Sequence, residues 1–215
     1  LDFGSVQPVG GGGNAGFNKP SDNSLIPFFS RRIGLDAAGN PQAVNYGVKS
    51  FGQLGRQDVG VLHLRTATDG GILGEDFSVV RVKRRLLRQS YAGVLYTRRD
   101  PTTSGAATLE TAGADFRLAT ARFRGSQNLS LGGFWLRNTT PLDTGRSGSY
   151  GLRLDYPNDR WNGGMVYRAV QENFDPAVGF LQRNNYEQYN PYFNFSPRPR
   201  DHKYIRRLGF TADAD

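Results

Sequence analysis

Charged side chains alternate with apolar ones along several stretches of this sequence, and these charges are the residues best placed to do chemistry. Between positions 152 and 155, for example, Arg153 and Asp155 alternate with Leu152 and Leu154. Successive side chains of a β-strand point to opposite faces, so such a stretch collects its charges on one face. The same reasoning gives a set of candidate charged positions: Lys49, Arg81, Lys83, Asp115, Arg117, Arg153, Asp155 and Arg168.

Two kinds of chemistry fit this set. Arrays of arginine and lysine inside a pore favour anions, and guanidinium groups also bind planar and hydroxyl-rich solutes. The alternative, of equal weight, is a ladder of charges that braces the wall of a plugged barrel. The facing of Arg81 and Lys83 is ambiguous, because Arg84 of the same stretch lies on the opposite face.

Catalytic and metal-binding patterns are weak in this sequence. His63 and His202 are far apart and show no metal-ligand spacing, and the chain has no cysteine. The stretch 147–151, Ser-Gly-Ser-Tyr-Gly, only loosely resembles a nucleophile elbow, and no helix follows it. We therefore expect no catalytic residues, no metal, no cofactor and no enzymatic activity.

The clearest structural element is a predicted hairpin at 147–170. Its arms carry an apolar row on one face, with aromatic residues near the ends of the row. Arms of about ten residues, tilted by about 45°, rise about 25 Å, which matches the hydrocarbon core of a bilayer. A soluble sandwich hairpin can carry the same pattern, but its strands are usually shorter. The residues predicted to face lipid or to form aromatic girdles are Leu152, Leu154, Tyr156, Trp161, Met165 and Tyr167.

Three more aromatic residues near the ends of predicted strands are expected to join these girdles: Tyr91, Tyr96 and Trp135. In a soluble lectin the same aromatic residues could stack on sugar rings.

The connections between predicted strands alternate between long loops and short turns. Outer-membrane barrels have this asymmetry, whereas a Greek-key sandwich has no reason for it. Eleven strands are predicted, at 26–35, 44–54, 59–66, 77–86, 90–99, 109–123, 128–137, 150–156, 161–169, 185–196 and 203–212.

Composition excludes several classes of protein. No run of eighteen apolar residues is present, so a transmembrane helix is not predicted. The net charge of +8 is spread along the chain and forms no basic patch, so nucleic acid is not an expected partner. Residues 1–24 are rich in Gly and Asn, lack the context of a phosphate loop, and read as a linker or arm. No cleavable signal peptide is visible at Leu1.

Several segments resemble a known family. They are 28–34 (Phe-Phe-Ser-Arg-Arg-Ile-Gly), 46–49, 60–62, 77–84 and the Asp-Pro segment 175–183. Together they are similar to a family of uncharacterised bacterial outer-membrane proteins, in which a periplasmic carbohydrate-binding-type module precedes a large C-terminal β-barrel. The resemblance covers about 28–200, and the module and the later part of the barrel have no counterpart here. It implies an outer-membrane location, and it is the only source of a carbohydrate ligand.

The sequence thus predicts an all-β protein, an antiparallel up-and-down transmembrane β-barrel that occupies 25–215 of a Gram-negative outer-membrane protein. An odd strand count predicts an incomplete barrel, because single-chain bacterial barrels close with even numbers. We therefore expect the native polypeptide to extend beyond one end, or another chain to complete the wall. Expected partners are outer-membrane lipid and a solute that passes or binds. The alternatives are a scaffold subunit of an outer-membrane complex and a soluble all-β carbohydrate-binding domain.

Overall fold

A computed structural model describes residues 25–30, 33–35, 39–68, 71–101, 107–139, 145–199, 204 and 206–214. Within these residues the protein is all-β, and ten strands form one antiparallel up-and-down sheet, the main sheet. In spatial order from one edge these are β12 Phe210–Asp213, β11 Tyr186–Phe195, β9 Trp161–Val170, β8 Gly148–Pro157, β7 Gln127–Asn138, β6 Leu109–Phe123, β5 Ser90–Pro101, β4 Glu75–Leu87, β3 Gln57–Thr66 and β2 Val44–Leu54. Two short strands, β1 Leu25–Ile26 and β10 Phe180–Leu181, form a separate small sheet. No helix among the described residues is long and apolar enough to cross a membrane.

The connections of the main sheet confirm most of the predicted alternation. Turns at 55–56, 88–89, 124–126 and 158–160 join strands at one end, which we call the short-turn end. Connections at 67–74, 102–108, 139–147 and 171–185 join them at the other, the long-loop end. Gly55 and Gly125 have φ values of 60° and 100°, which only glycine adopts readily, so both allow a tight reversal.

The predicted first strand is wrong. The described residues of 26–35 add no strand to the main sheet; Leu25 and Ile26 pair with Leu181 and Phe180, and Leu35 forms an isolated bridge with Pro41. Pro27 has no N–H to donate to a ladder, which ends the pairing there. Residues 31–32 lie outside the described part of the chain, so this segment is known only on either side of them.

The last strand also differs from its prediction. The extended residues are Phe210–Asp213, and the described residues 204 and 206–209 of the predicted strand 203–212 are not extended. Four strand residues leave β12 much shorter than its neighbours. The described main sheet therefore has ten strands where eleven were predicted, and the argument for incompleteness from an odd count falls away.

The edges of the main sheet are nevertheless open. In the described residues β2 and β12 lie at opposite ends of the strand order and do not pair with each other, so no closed ring is present. The two edges are antiparallel, because adjacent strands are antiparallel throughout and the strand number is even. The predicted arm at 1–24 lies outside the described residues.

The packed core lies on one side of the main sheet, near the long-loop end. Phe77, Val79 and Leu95 of the sheet pack against Ala177 and Val178 of the β9–β11 connection. A second cluster joins Leu25, Leu136, Val170 and Phe174. These apolar clusters hold the connection and the small sheet against the main sheet.

Candidate functional site: the charged face of the main sheet

The strand registers place all eight predicted charged positions on the same face, which we call the charged face. Arg81 and Lys83 are aligned with Leu95 and Gly93, and Gly93 in turn with Asp115. The registers of β6 to β9 place Arg117, Arg153, Asp155 and Arg168 on this face, and those of β2 to β4 place Lys49 there. The period of two therefore places Arg81 and Lys83 with the other six, although their strand left this ambiguous. Whether the charged face lines a lumen stays a prediction.

A buried ion pair crosses the middle of the charged face. The Nη1 and Nη2 atoms of Arg81 lie 2.7 and 2.9 Å from Oδ1 and Oδ2 of Asp115. The two side chains are 4% and 0% exposed. Breaking a buried pair by removing one partner typically costs about 3–5 kcal/mol, because a buried charge is left without compensation. This pair ties β4 to β6 across the intervening strand β5.

Glycine makes that crossing sterically accessible. Gly93 lies on β5 beneath the Arg81 side chain, and a Cβ there would lie 2.8 Å from the guanidinium carbon. The guanidinium thus occupies the space that any other residue at 93 would fill with its side chain.

A second polar bridge has the same construction nearer the short-turn end. The phenol of Tyr192 on β11 donates to Oδ1 of Asp155 on β8 over 2.8 Å. A Cβ on the intervening Gly164 would lie 2.7 Å from the Tyr192 ring. Arg153 Nε contacts both carboxylate oxygens of Asp155, at 2.7 and 2.9 Å. Asp155 therefore fixes an arginine and a tyrosine at once.

The other four predicted positions have different environments. Lys83 lies over the Tyr91 ring, 4.3 Å from its centroid, and Lys49 lies 5.5 Å from that of Phe51. Arg168 is almost fully buried. Arg117 is half-buried, and no carboxylate of the described residues lies within ion-pair distance of it.

Sequence reasoning missed several members of the charged face. Arg99 makes two 2.8 Å contacts with Glu75, and Arg85 lies 3.0 Å from Asp58. Counting paired strand positions in the described residues, the charged face holds eight cations and five acids. The cations are Lys49, Arg81, Lys83, Arg85, Arg99, Arg117, Arg153 and Arg168; the acids are Asp58, Glu75, Asp115, Asp155 and Asp213. Extending the alternation outward from Arg81 would have found Arg85.

The opposite face of the main sheet, the apolar face, carries all six residues predicted to face lipid or form girdles. Leu152 and Met165 are 52% and 44% exposed near the middle of β8 and β9. Other exposed apolar residues continue the face across the sheet: Val48, Val61, Val80, Val94, Leu118, Leu131, Leu154 and Phe193. Their contact with lipid stays a prediction.

Among the paired positions of the described strands, the apolar face carries charges only near the strand ends. All but one lie toward the long-loop end, and Arg84 lies toward the short-turn end. They are Arg65, Asp76, Arg84, Arg98, Asp100, Glu110, Arg137 and Glu187. An uncharged band therefore separates a charged margin at the long-loop end from Arg84 near the short-turn end.

Aromatic residues flank this band on both sides. Toward the short-turn end, the ring of Trp161 stacks on Phe195, with centroids 4.1 Å apart, and Phe123 meets Tyr156 edge-on. Toward the long-loop end, Tyr167 contacts Tyr150 and Tyr189, and Trp135 on β7 and Tyr96 on β5 continue the aromatic margin. Tyr91 differs from its expected place among the girdles, because its register puts it on the charged face beneath Lys83.

A groove of about 700 Å³ runs across the apolar face. Its floor contains the small residues Ala92 and Ala114, and its walls include Trp135, Leu152 and Tyr167. The groove is apolar, so it can hold a hydrocarbon chain more readily than a polar ligand.

The residues considered for catalysis do not converge. His63 lies on β3, 3.0 Å from Ser78 and 3.9 Å from Asp76, and His202 lies outside the described residues. The hydroxyl of Ser149 is buried and donates to the Ala169 carbonyl. No group of three or more His, Cys, Asp or Glu residues within the described chain could hold a metal ion. The expectation that the protein is not an enzyme stays a prediction.

No family model, no curated protein and no solved structure matches this chain. The resemblance of the segments between 28 and 200 to an outer-membrane family therefore stays a prediction, and the functional argument rests on the two faces of the main sheet.

Proposed function

We propose that this chain forms the wall of a transmembrane β-barrel in a Gram-negative outer membrane. The apolar face contacts lipid, and the charged face lines a lumen in which a solute binds or passes. The observation that carries this proposal is the uncharged, exposed band on the apolar face, bounded by aromatic residues and then by charges. Soluble monomers rarely expose contiguous apolar patches larger than a few hundred Å².

The lengths of the strands support a bilayer location. The strands β2 to β9 and β11 each have ten or more residues. A strand tilted by about 45° crosses a bilayer with about 9–11 residues. Outer-membrane barrels also carry aromatic girdles at both interfaces, which is the role we propose for the two aromatic margins of the apolar face.

The register of the main sheet also favours a barrel. One row of aligned residues starts at Tyr189, in the middle of β11, and reaches Gln57, the first residue of β3 beside a short turn. The row therefore drifts toward the short-turn end as it crosses the sheet. Strands that close into a barrel need such a stagger, because they tilt relative to the barrel axis.

The charged face favours an anionic or hydroxyl-rich solute. Its cations outnumber its acids, and Lys83 and Arg117 have no carboxylate partner among the described residues. Four other arginines form ion pairs within the wall, which is the bracing role considered as the alternative. A carbohydrate is the solute that the family resemblance implies.

Adjacent residues on opposite faces of β9 test the orientation of the wall. Met165 lies on the apolar face, and Val166 lies on the charged face beside Arg153. We expect Met165→Glu to reduce insertion into lipid vesicles, since a charge on the lipid face is unfavourable; Lys or Arg costs about 2–4 kcal/mol at the midplane, and Glu less. Val166→Glu should insert normally, because its charge would face the lumen and not lipid.

The measurement is the fraction of refolded protein that floats with liposomes in a density gradient. Equal flotation of Met165→Glu and Val166→Glu would contradict the assignment of the two faces. If wild-type protein remained in the aqueous fraction, the membrane proposal itself would fail.

A second candidate is a structural subunit of a larger outer-membrane complex, and the open edges favour it. Every residue of β2 is exposed, and no described strand pairs with its outer edge. Backbone groups of a bare edge cannot stay unsatisfied in lipid. Strands from another chain would complete the wall in this case, and chemical cross-linking would give a hetero-oligomer.

A soluble carbohydrate-binding domain, the other alternative, would need a different arrangement of sheets. It requires a dry core between two stacked sheets. The described strands instead form the main sheet and the two-stranded small sheet, and the exposed apolar face has no second sheet of the described chain packed on it.

A further inference from the structure

The connection between β9 and β11 is folded onto the charged face. Its residues 174–178, with the exception of Asp175, are buried, and Phe174 and Val178 are each 1% exposed. They cover the half of the charged face nearest the long-loop end, where Phe77, Val79 and Leu95 lie. We call residues 171–181 the plug segment.

Two polar residues of the wall hold the backbone of the plug segment. Thr111 Oγ1 accepts a 3.0 Å hydrogen bond from the Ala177 N–H and donates one of 3.1 Å to Asn138 Oδ1. The Asn138 side-chain amide in turn donates to the Asp175 carbonyl. Both side chains are almost completely buried. Thr111 and Asn138 together form what we call the latch.

The small sheet holds the plug segment from its other side. Ile26 pairs with Phe180, and the Phe29 N–H donates to the Val178 carbonyl over 2.9 Å. Gly179 has no room for a side chain, because a Cβ would lie 2.7 Å from Pro176 and 2.8 Å from the Pro27 carbonyl. The plug segment therefore has a defined packed position.

We propose that the plug segment is a gate, which closes the long-loop end of the charged face and opens when the latch breaks. This inference rests on the proposed function, because a gate needs a lumen to close. While the plug segment is docked, a solute reaches the cations Lys83, Arg117 and Arg153 only from the short-turn end. Breaking the latch removes two side-chain hydrogen bonds to the plug segment, which is then held only by the apolar clusters and the small sheet, and it can be released without unfolding the strands of the main sheet.

The chain offers a matched control for the latch. Thr97 lies on the same aligned row as Thr111, on the adjacent strand, and is equally buried. In the described residues its hydroxyl has no hydrogen-bond partner, and it makes no bond to the plug segment. Thr111→Val and Thr97→Val therefore make the same chemical change, and only Thr111→Val breaks the latch.

Single cysteines report whether the plug segment is docked, because the natural chain contains none. Val178→Cys places a thiol at a buried position, and Phe180→Cys places one at a position that is 38% exposed on the same segment. In protein refolded into liposomes, a membrane-impermeant maleimide should label the thiol at 180 quickly and the thiol at 178 slowly. Adding Thr111→Val should raise the labelling rate at 178 about tenfold, the factor for a loss comparable to one hydrogen bond. Thr97→Val should leave that rate unchanged, and Thr111→Ser should restore protection.

The second readout is swelling of the same liposomes in small anionic solutes. Thr111→Val should increase the swelling rate relative to Thr97→Val. Equal labelling at 178 and 180 in the parent would overturn the docked position, and slow labelling at 178 in Thr111→Val would overturn the latch. Fast labelling without faster swelling would overturn the gate. Failure of the parent protein to insert would instead overturn the proposed function, and labelling in detergent would then test the docking alone.

Discussion

At the residue scale, glycines decide which charges can meet on the charged face. The Arg81–Asp115 pair and the Tyr192–Asp155 bond each pass over a glycine of the intervening strand. A long side chain reaches an acid two strands away only where the strand between carries no side chain. The Arg81–Asp115 pair therefore depends on a residue that carries no charge itself, whereas the Arg85–Asp58 and Arg99–Glu75 pairs join adjacent strands and cross no glycine.

This dependence gives a prediction for two glycines of the charged face. Gly93→Ala should lower the free energy of unfolding, because the new methyl group displaces Arg81 from Asp115. The loss should approach the cost of breaking a buried ion pair, which is about 3–5 kcal/mol. Gly132→Ala is the matched control, since a Cβ there meets only the Phe116 carbonyl, at 3.5 Å. The measurement is urea unfolding of the protein refolded in detergent micelles. Equal effects of the two substitutions would mean that Arg81 does not occupy the space above Gly93.

The sequence predicts part of this residue-scale arrangement. Alternation with apolar residues is enough to put Asp115 and Arg153 on one face, whereas the strand of Arg81 carries charges on both faces and left its facing open. Pairing partners depend on register between strands, which alternation within one strand does not specify. The Tyr192–Asp155 bond and the role of Gly93 therefore become visible only in the structure.

At the element scale, long strands are predictable and short ones are not. The strands β2 to β9 and β11 each have ten or more residues, and their predicted positions agree with the structure to within a few residues at each end. The elements β1, β10 and β12 have two to four residues, too few for a period to be visible. The plug segment was predicted as a loop, and its apolar residues Phe174 and Val178 were the unused signal that it packs against the wall.

In the proposed membrane wall, the exposed edge strand β2 is the element whose backbone must gain hydrogen-bond partners. We expect its backbone amides to exchange slowly in liposomes, as those of β8 do, because lipid forces its outer N–H groups to find partners. Hydrogen exchange measured on peptides from 44–54 and 148–157 tests this, with the connection at 67–74 as the fast reference. Rapid exchange along β2 in protein that has inserted would show that its edge stays bare, and would contradict the proposed completion of the wall.

At the scale of the whole molecule, the two faces of the main sheet differ both in charge and in what covers them. The charged face combines buried ion pairs with a packed plug segment, and the apolar face exposes aliphatic residues between two aromatic margins. A water-soluble sheet with one exposed face normally places its polar residues on that face. Here the exposed apolar side is the one that a bilayer would cover, and this reversal is the basis of the proposed function.

Strand number is the property of the whole molecule that sequence reasoning got wrong. The segment after Leu25 was counted as a barrel strand, but the structure uses it to support the plug segment. The alternation of side chains within a segment does not specify which strand the segment pairs with. A short extended segment can therefore be assigned to the wrong sheet.

The most direct test of the account uses the two tryptophans of the chain, Trp135 and Trp161, which are 50% and 42% exposed on the apolar face near opposite margins of the band. Trp135→Phe and Trp161→Phe each leave one tryptophan, whose fluorescence is measured in liposomes that contain lipids brominated at different acyl-chain depths. If the apolar face contacts lipid, we expect the brominated lipids to quench both tryptophans, most strongly when the bromines lie near the headgroups. Acrylamide in the water should quench neither tryptophan efficiently. Tryptophans that acrylamide quenches freely and brominated lipid does not would contradict the claim that the apolar face contacts the membrane.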